Sequence, residues 1–288
     1  MTDQPIFRFA PSPNGELHLG HAFSALTNLR HAREAGGKML LRIEDIDTVR
    51  CTPALEVQML RDLEWIGFEW DEEPIRQSER FGIYGVHADE LADAGLLYGS
   101  RLSRSNITGI VQEAEAQGQI WPRDPDGSPL FPGRAYEDEE CDDRGAALRL
   151  DVRDAIAHAG RDLAWTEFGE GPDGEHGDVQ ASPKAWGDFV LIRKDTPTSY
   201  HLACVVDDAL QGVTDVVRGV DLFHATSAHV LLQALFGFVT PAYRHHGLLM
   251  ADDTRKLSKS ERDTSLRSLR EAGVQPADIW RMIGFAAG

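Results

Sequence analysis

Two short stretches of this chain have the residue types and spacing for phosphate chemistry. In "HLGH", His18 to His21, two imidazoles stand three residues apart, a spacing that puts them on one face of a helix. A helix start offers unpaired N–H groups and the positive end of the dipole, which favour a phosphate, and imidazoles there can donate hydrogen bonds to an oxyanion. Gly20 has no side chain, so a flat base can approach its backbone. Alone, His-x-x-His also fits an ordinary helix start with two surface histidines. The second stretch is "KLSKS", Lys256 to Ser260. Its flexible ammonium groups are point charges suited to the migrating charge of a leaving pyrophosphate. Its serines permit a loop that closes on substrate. Alone, it also fits a solvated surface turn.

The elements that must position these stretches can be read from periodicity. "IFRFA" (6–10) alternates and predicts a short strand. "PSPNGELHLGH" (11–21) begins as a turn. From about His18 the apolar positions Ala22, Ala25, Leu26, Leu29 and Ala32 predict a helix that Gly36-Gly37 ends. "MLLRI" (39–43) is a second strand, and the three elements make a βαβ unit with parallel strands. Thr52 and Pro53 predict the start of another helix, closed at Gly67, and Ser78 is expected to cap a further one that ends at Gly95. Residues 97–186 are turn-rich and acidic, and are expected to be an insertion. "DFVLIRK" (188–194) and "YHLACVVDD" (200–208) have the composition of buried strands, and "ATSAHVLLQALFGF" (225–238) that of an amphipathic helix. Two short helices, split at Gly273 and Pro276, are expected at the end.

Composition sets the bounds. The 288 residues, 42% of them hydrophobic and 26% charged, are enough to bury a sizeable core. There is no apolar run of membrane-spanning length and no signal-peptide pattern at the start. Cys51, Cys141 and Cys204 are scattered and form no Cys-x-x-Cys pair, which points to a reducing cytoplasm and away from a cysteine-rich metal site. The net charge of −18 argues against non-specific coating of nucleic acid, though a local basic groove remains compatible with it.

His-x-Gly-His near the start, a Rossmann-like crossover and Lys-x-Ser-Lys-Ser near the end are far more specific together than apart. With "FRFAPSPNGELHLGH", "LLRIEDID" and "VVDDALQGVTDVVRGVDL", the sequence resembles class I aminoacyl-tRNA synthetases, specifically the glutamyl branch. The resemblance covers nearly the whole chain and is weakest in 97–186. It implies an α/β fold: a Rossmann-like catalytic domain with a parallel sheet, an α/β insertion and a short helical C-terminal segment. The expected organisation is 1–96 and 187–260 as the two catalytic halves, 97–186 as an acceptor-binding-type insertion, and 261–288 as the helical end.

The resemblance also implies a reaction. A glutamate carboxylate attacks the α-phosphate of ATP, with Mg²⁺ accompanying the nucleotide, and developing charge needs pre-placed donors. His18, His21 and Lys259 are the implied catalytic residues, and Gly20 and Lys256 join them around ATP. Arg8, Ser12, Glu44, Tyr200 and Arg218 stand in the places implied for glutamate, with Phe9, Ala10 and Pro11 beside them. The arginines suit carboxylates, Glu44 the ammonium and Tyr200 a hydroxyl contact. Which arginine takes the side-chain carboxylate stays open. Glu44 could instead pair with Arg42, and Arg218 could lie on the surface. Asp207 and Asp208, expected after a strand, could orient the ribose or the tRNA end, or cap a turn.

Two departures sharpen the expectation. Little chain follows Ser260 before Gly288, whereas full glutamyl-tRNA synthetases continue into an anticodon-reading domain. That resembles the glutamyl-queuosine tRNA(Asp) synthetases, truncated paralogues that activate glutamate without tRNA and attach it to the queuosine base of tRNA(Asp). The implied partners are L-glutamate, ATP and the anticodon stem-loop of tRNA(Asp), with no membrane and a monomeric state. Many of these paralogues hold zinc in the insertion, but Ser100, Leu102, Phe131 and Ala135 stand where its ligands would be. The expectation is no zinc, and an insertion held by packing around Trp121, Phe131 and Tyr136. Arg101, Arg104, Arg123, Arg134, Arg262, Arg267 and Arg270 could form an RNA-binding patch or be scattered and solvated. The rival readings are a truncated synthetase charging the 3′ end of tRNA(Glu), a non-catalytic synthetase-like binding module, and a nucleotidyltransferase of the same fold.

Overall fold

The computed structural model describes residues 4–137, 146–252, 255–256 and 264–285. The first strand, β1 (Ile6–Phe9), leads through the proline turn into helix α1 (Leu19–Glu34) and back to β2 (Lys38–Ile43), which pairs in parallel with β1. Helix α2 (Pro53–Trp65) starts with Thr52 accepting from the Leu55 N–H and Pro53 at its first position, where a missing N–H costs nothing. The short β3 (Ile75–Arg76) extends the sheet, and α3 (Phe81–Asp93) follows. Ser78 does not cap α3 as expected. It sits in a single 3₁₀ turn, and its N–H and hydroxyl both donate to Asp45, at 2.8 and 2.6 Å.

Next come β4 (Leu97–Ser100), α4 (Arg104–Ala116), β5 (Ala147–Leu150), α5 (Val152–Ala159), β6 (Ala164–Glu167), β7 (Gly177–Gln180) and β8 (Val190–Ile192). The strand pairing crosses the boundaries expected at 97 and 187. β6 and β7 join the main sheet, while β8 pairs antiparallel with β5 in a separate β4-β5-β8 sheet. The chain then forms α6 (Tyr200–Leu210), β9 (Asp215–Gly219), α7 (Ala225–Leu235), β10 (Ala242–His246), the hairpin β11 (Met250–Asp252) and β12 (Arg255–Lys256), and the terminal helices α8 (Leu266–Glu271) and α9 (Pro276–Met282).

Two expectations change here. "YHLACVVDD" is not a strand but α6, started by the Ser199 hydroxyl accepting from the Leu202 N–H. A continuous apolar run has no period to separate a buried strand from a buried helix. Helix α7 is not amphipathic in place, because every residue from Ala225 to Gln233 is buried. It lies between the sheet and the smaller elements around it.

The main sheet runs β3-β2-β1-β9-β10-β6-β7, all neighbours parallel except the β6–β7 edge. The chain steps outward from β1 through β2 to β3 in one direction and from β9 to β10 in the other. The switch between β1 and β9 opens a crevice at the carboxyl ends of the strands. Side chains alternate across each strand, which sorts the two faces. Phe7, Phe9, Met39, Leu41 and Ile43 pack against α1, α2, α8 and α9. Val216, Tyr243 and Trp165 pack on the other face with α3, α5, α6 and α7. Arg8, Arg42, Arg218 and His245 share the period of that second face. Among the described residues no helix is long and apolar enough to cross a membrane.

Candidate active site

The crevice between β1 and β9 continues into two adjoining cavities. The outer one, about 530 Å³, is lined by Phe9, Ala10, Pro11, Ser12, His18, Gly20, His21 and Glu44, with Gly219 and the segment after β10 opposite. The inner one, about 320 Å³, is lined by Arg8, Phe9, Ala10, Glu44, Tyr200 and Arg218 among others. Phe9, Ala10, Ser24, Glu44, Gly219 and Leu222 line both. A separate cavity of about 360 Å³, lined by residues such as His31, Asp215 and Arg244, contains no expected site residue.

The HLGH turn shows why its residue types matter. His18 is the N-cap of α1, and its Nδ1 accepts from the Gly20 N–H at 3.1 Å. The His21 Nδ1 in turn accepts from the His18 N–H at 3.2 Å. The two histidines thus form a capping box in which imidazole nitrogens do the work usually done by hydroxyl and carboxylate oxygens. A ring whose Nδ1 accepts from a backbone N–H carries its proton on Nε2. The two ring centroids lie 3.9 Å apart. Gly20 leaves no room for a Cβ, which would meet the His18 ring at 2.9 Å.

The far end of the chain returns to this turn. His18 bridges Ser265, and the Leu266 N–H donates to the Leu17 carbonyl at 2.8 Å. Lys256 belongs to β12, paired with Met250. Lys259, with residues 257–260 generally, lies outside the described residues. Cys141 and Arg262 do as well.

In the inner cavity the two arginines differ in their electrostatics. Arg8 Nε donates to Asp208 Oδ1 at 3.0 Å, and Arg42 Nη1 donates to the same oxygen at 2.7 Å. All three are buried. Burial pushes Asp208 up, but Arg8 and Arg42 outweigh it and hold the carboxyl below its ordinary range. Glu44 takes an Arg42 contact at 3.3 Å, as one reading of it has it, and also lines both cavities. Burial raises its pKa, with Arg42 and Arg8 opposing. Cys204 Sγ donates to Asp208 at 3.7 Å, and burial keeps it a thiol with its pKa pushed up to about 12. Tyr200 is held as a neutral phenol by burial.

Arg218 is not a surface residue: it is 4% exposed. Its Nε donates to His245 Nε2 at 3.1 Å and its Nη2 to Thr226 Oγ1 at 2.7 Å, and its Nη1 lies 3.3 Å from His229 Nδ1. All three partners are neutral groups, and among the described residues no carboxylate forms a salt bridge with it. Asp207 turns away from this cavity and anchors neighbouring elements, taking bonds from Gln77, Arg80 and Tyr84 at 3.0, 2.8 and 2.8 Å. It lines neither cavity. Sequence reasoning missed Asp208 as the counterion shared by Arg8 and Arg42, and the Thr226, His229, His245 and Glu167 surroundings of Arg218. A charged residue recurring inside an apolar strand, as in "LLRI" and "YRHH", was the available signal.

Beyond Arg218, His229 Nε2 lies 3.2 Å from His201 Nδ1. Burial, then Arg218 and Arg193, pull His201 down to about 4. Between its ordinary 6.5 and that value the unfolded chain binds a proton there that the folded chain does not. Stability therefore falls as pH drops through this window, by about 3 kcal/mol for this one group. His201→Asn is expected to reduce the slope of unfolding free energy against pH between 6.5 and 4 by up to one proton, measured by urea unfolding. An unchanged slope would show that the ring is not held neutral.

At the positions where zinc ligands would stand, other bonds hold the insertion together. Ser100 Oγ donates to Glu137 at 2.5 Å and accepts from Arg149 Nε at 3.1 Å, and the Arg149 guanidinium lies 3.7 Å over the Phe131 ring. Trp121 donates to the Leu130 carbonyl, but Tyr136 is 51% exposed and adds little packing. Several of the described arginines are engaged within the chain. Arg123 pairs with Glu115, Arg267 with Glu271 and Glu16, and the part-buried Arg270 with Asp62. Arg134 lies over Tyr98.

Residues 6–286 match the family model described as tRNA synthetases class I (E and Q), catalytic domain. A glutamyl-Q tRNA(Asp) synthetase of Rhodobacter capsulatus is 44% identical over 97% of this chain and 99% of its own length. One of Symbiobacterium thermophilum is 36% identical over 98% of this chain and 86% of its own. The crystal structure of a glutamate tRNA ligase from Elizabethkingia meningosepticum, in complex with its amino acid, superposes with a TM-score of 0.70 at 28% identity. That match covers 91% of this chain and 53% of the ligase. The chain belongs to the class I tRNA synthetases of the glutamyl and glutaminyl type, in the branch of the glutamyl-Q tRNA(Asp) synthetases.

Proposed function

We propose that the protein is an ATP-dependent ligase that activates L-glutamate as glutamyl-adenylate and transfers it to the queuosine base in the anticodon of tRNA(Asp). The α-carboxylate of glutamate attacks the α-phosphorus of ATP. A new oxygen–phosphorus bond forms, and the bond to pyrophosphate breaks. The acceptor on the queuosine base then attacks the glutamyl carbonyl, and AMP leaves. The relatives of this name, alike over nearly the whole chain, support the acceptor.

The observation that carries glutamate recognition is the Arg218 guanidinium, buried among neutral partners and facing the inner cavity. A buried cation without a counterion is costly, and a ligand carboxylate supplies one. We assign the side-chain carboxylate of glutamate to Arg218. Arg8 is engaged by Asp208 through Nε, which leaves its Nη groups for the same ligand. Glu44 takes the ammonium, Tyr200 donates its hydroxyl, and Phe9 to Ser12 form the wall. ATP fits the outer cavity, which His18 and His21 line at the α1 N-terminus and where Gly20 keeps the cap in place. Lys259, with Lys256 beside it, is assigned to the pyrophosphate side, and Mg²⁺ enters with the nucleotide.

We further place the protein in the cytoplasm as a monomer, which the free thiols of Cys51 and Cys204 and the origin of every site residue in one chain support. Glutamate-dependent ATP–pyrophosphate exchange without tRNA tests the first half of the reaction. Exchange that requires tRNA(Glu) would favour the truncated synthetase, and glutamate binding without exchange would favour a binding module.

A further inference from the structure

Arg218, on β9, is set by a second layer of buried polar groups that come from two other strands and a helix. His245 is its partner across the β9–β10 register. The other ring nitrogen of His245, Nδ1, lies 2.6 Å from Glu167 Oε2, and both side chains are fully buried. The second oxygen, Glu167 Oε1, is occupied by the N–H groups of His245 and Gly169, at 2.8 and 2.7 Å. The bonds dictate the protonation state of the ring. Arg218 Nε has only a proton to offer, so His245 Nε2 must accept it. The ring proton then resides on Nδ1 and is donated to the carboxylate. Burial raises the pKa of Glu167, but the His245 ring and backbone bonds outweigh it and bring it to about 2, so the acceptor is ionised. Burial lowers the pKa of His245, in keeping with a neutral ring. The loop that closes over the pair has no room for a side chain. A Cβ on Gly169 would stand 2.2 Å from the His245 carbonyl oxygen and 2.8 Å from Glu167 Oε1.

We propose that Glu167 and His245 are a positioning pair: Glu167 fixes the His245 tautomer, and His245 holds the Arg218 guanidinium in the orientation that receives the glutamate carboxylate. The pair also places a negative charge two hydrogen bonds from Arg218, too far to neutralise it and close enough to orient it. This rests on the reading of Arg218 as a glutamate-binding residue. Neither Glu167 nor His245 lines the cavity, so neither touches the substrate, and the effect runs through Arg218.

The test uses Glu167→Gln, which preserves shape. The amide oxygen stays on the two backbone N–H groups, so the NH₂ group faces Nδ1 and the ring must carry its proton on Nε2 instead. An Nε2–H then opposes Arg218 Nε–H, the wrong-tautomer effect known where a carboxamide replaces an orienting carboxylate. The expected result is a rise of about tenfold or more in the KM for glutamate, with the KM for ATP unchanged. Imidazole ¹⁵N shifts are expected to show His245 protonated at Nδ1 in the wild type and at Nε2 in the variant. His245→Leu is expected to reproduce the glutamate defect. His245→Gln, whose amide oxygen can accept from Nε, is expected to recover most of the affinity. A wild-type ring protonated at Nε2, or a His245→Leu protein with unaltered KM for glutamate, would overturn the proposal. Absence of glutamate-dependent exchange in the wild type would instead sink the glutamate reading, and the nitrogen shifts would still show whether the pair is built as described.

Discussion

Arg218→Met is expected to lower kcat/KM for glutamate in pyrophosphate exchange by about 10²–10³-fold, because truncating one partner of a desolvated charge pair costs about 2–5 kcal/mol. The loss should fall mainly on the KM for glutamate and leave nucleotide binding intact, since Arg218 lines only the inner of the two cavities. The same substitution should change folding stability by no more than about 1 kcal/mol, because replacing a buried charge that lacks a protein counterion with an apolar side chain of similar length relieves its desolvation. Thr226 and His245, 3.4 Å apart, can then bond each other. Exchange kinetics and urea unfolding check the two halves. A large stability loss with intact glutamate affinity would mean that Arg218 is a structural residue, and the assignment of the side-chain carboxylate would fall.

Asp208→Asn is expected to do the reverse, with stability suffering first. Asp208 is the shared counterion of Arg8 and Arg42, both essentially inaccessible to solvent. The amide keeps an acceptor but removes the charge, leaving the two buried guanidinium groups, among the described residues, with only the longer Glu44 contact to Arg42 as a carboxylate partner. Breaking one side of a buried ionic cluster costs about 3–5 kcal/mol, which in a domain of this size lowers the thermal midpoint by roughly 10 °C. The KM for glutamate should rise as well, because Arg8 loses the bond that fixes its Nε. Asp208 sits below its ordinary pKa, so its contribution is complete above the ordinary carboxylate range and disappears as pH falls through the lowered folded-state value. The difference in stability between wild type and variant should therefore shrink in acid. A variant as stable as the wild type near neutrality would show that Arg8 and Arg42 find other partners.

The contrast between these two arginines marks the limit of what was legible in the chain. The βαβ start could be read because its signals are local: alternation in "IFRFA" and "MLLRI", a glycine stop after α1, and Thr52-Pro53 at the start of α2. HLGH could be placed at a helix start for the same reason, although its use as a capping box of two imidazoles emerges only from geometry. The "YHLACVVDD" segment failed because it is buried on all sides, and a helix and a strand buried in that way leave the same apolar pattern. With α6 misread, Asp207 and Asp208 were placed at the end of a strand. In fact one turn of helix sends Asp208 toward Arg8 and Arg42 and Asp207 toward Tyr84. Glu167 and His245 were out of reach altogether. They meet because β6 lies beside β10, a pairing across 78 residues within a segment expected to belong to the insertion. The inference that Arg8, Glu44, Tyr200 and Arg218 converge rested on resemblance, and the inner cavity contains all four.

The central claim, that glutamate goes to the queuosine of tRNA(Asp), is tested most directly by following labelled glutamate. The protein is incubated with ATP, labelled glutamate and one of three RNAs: tRNA(Asp) containing queuosine, tRNA(Asp) lacking it, or tRNA(Glu). Ribonuclease fragments then locate the label. The account predicts label only with queuosine-containing tRNA(Asp), confined to the fragment that carries the anticodon loop. Label on the 3′-terminal fragment of tRNA(Glu), with none on the anticodon fragment of tRNA(Asp), would contradict it.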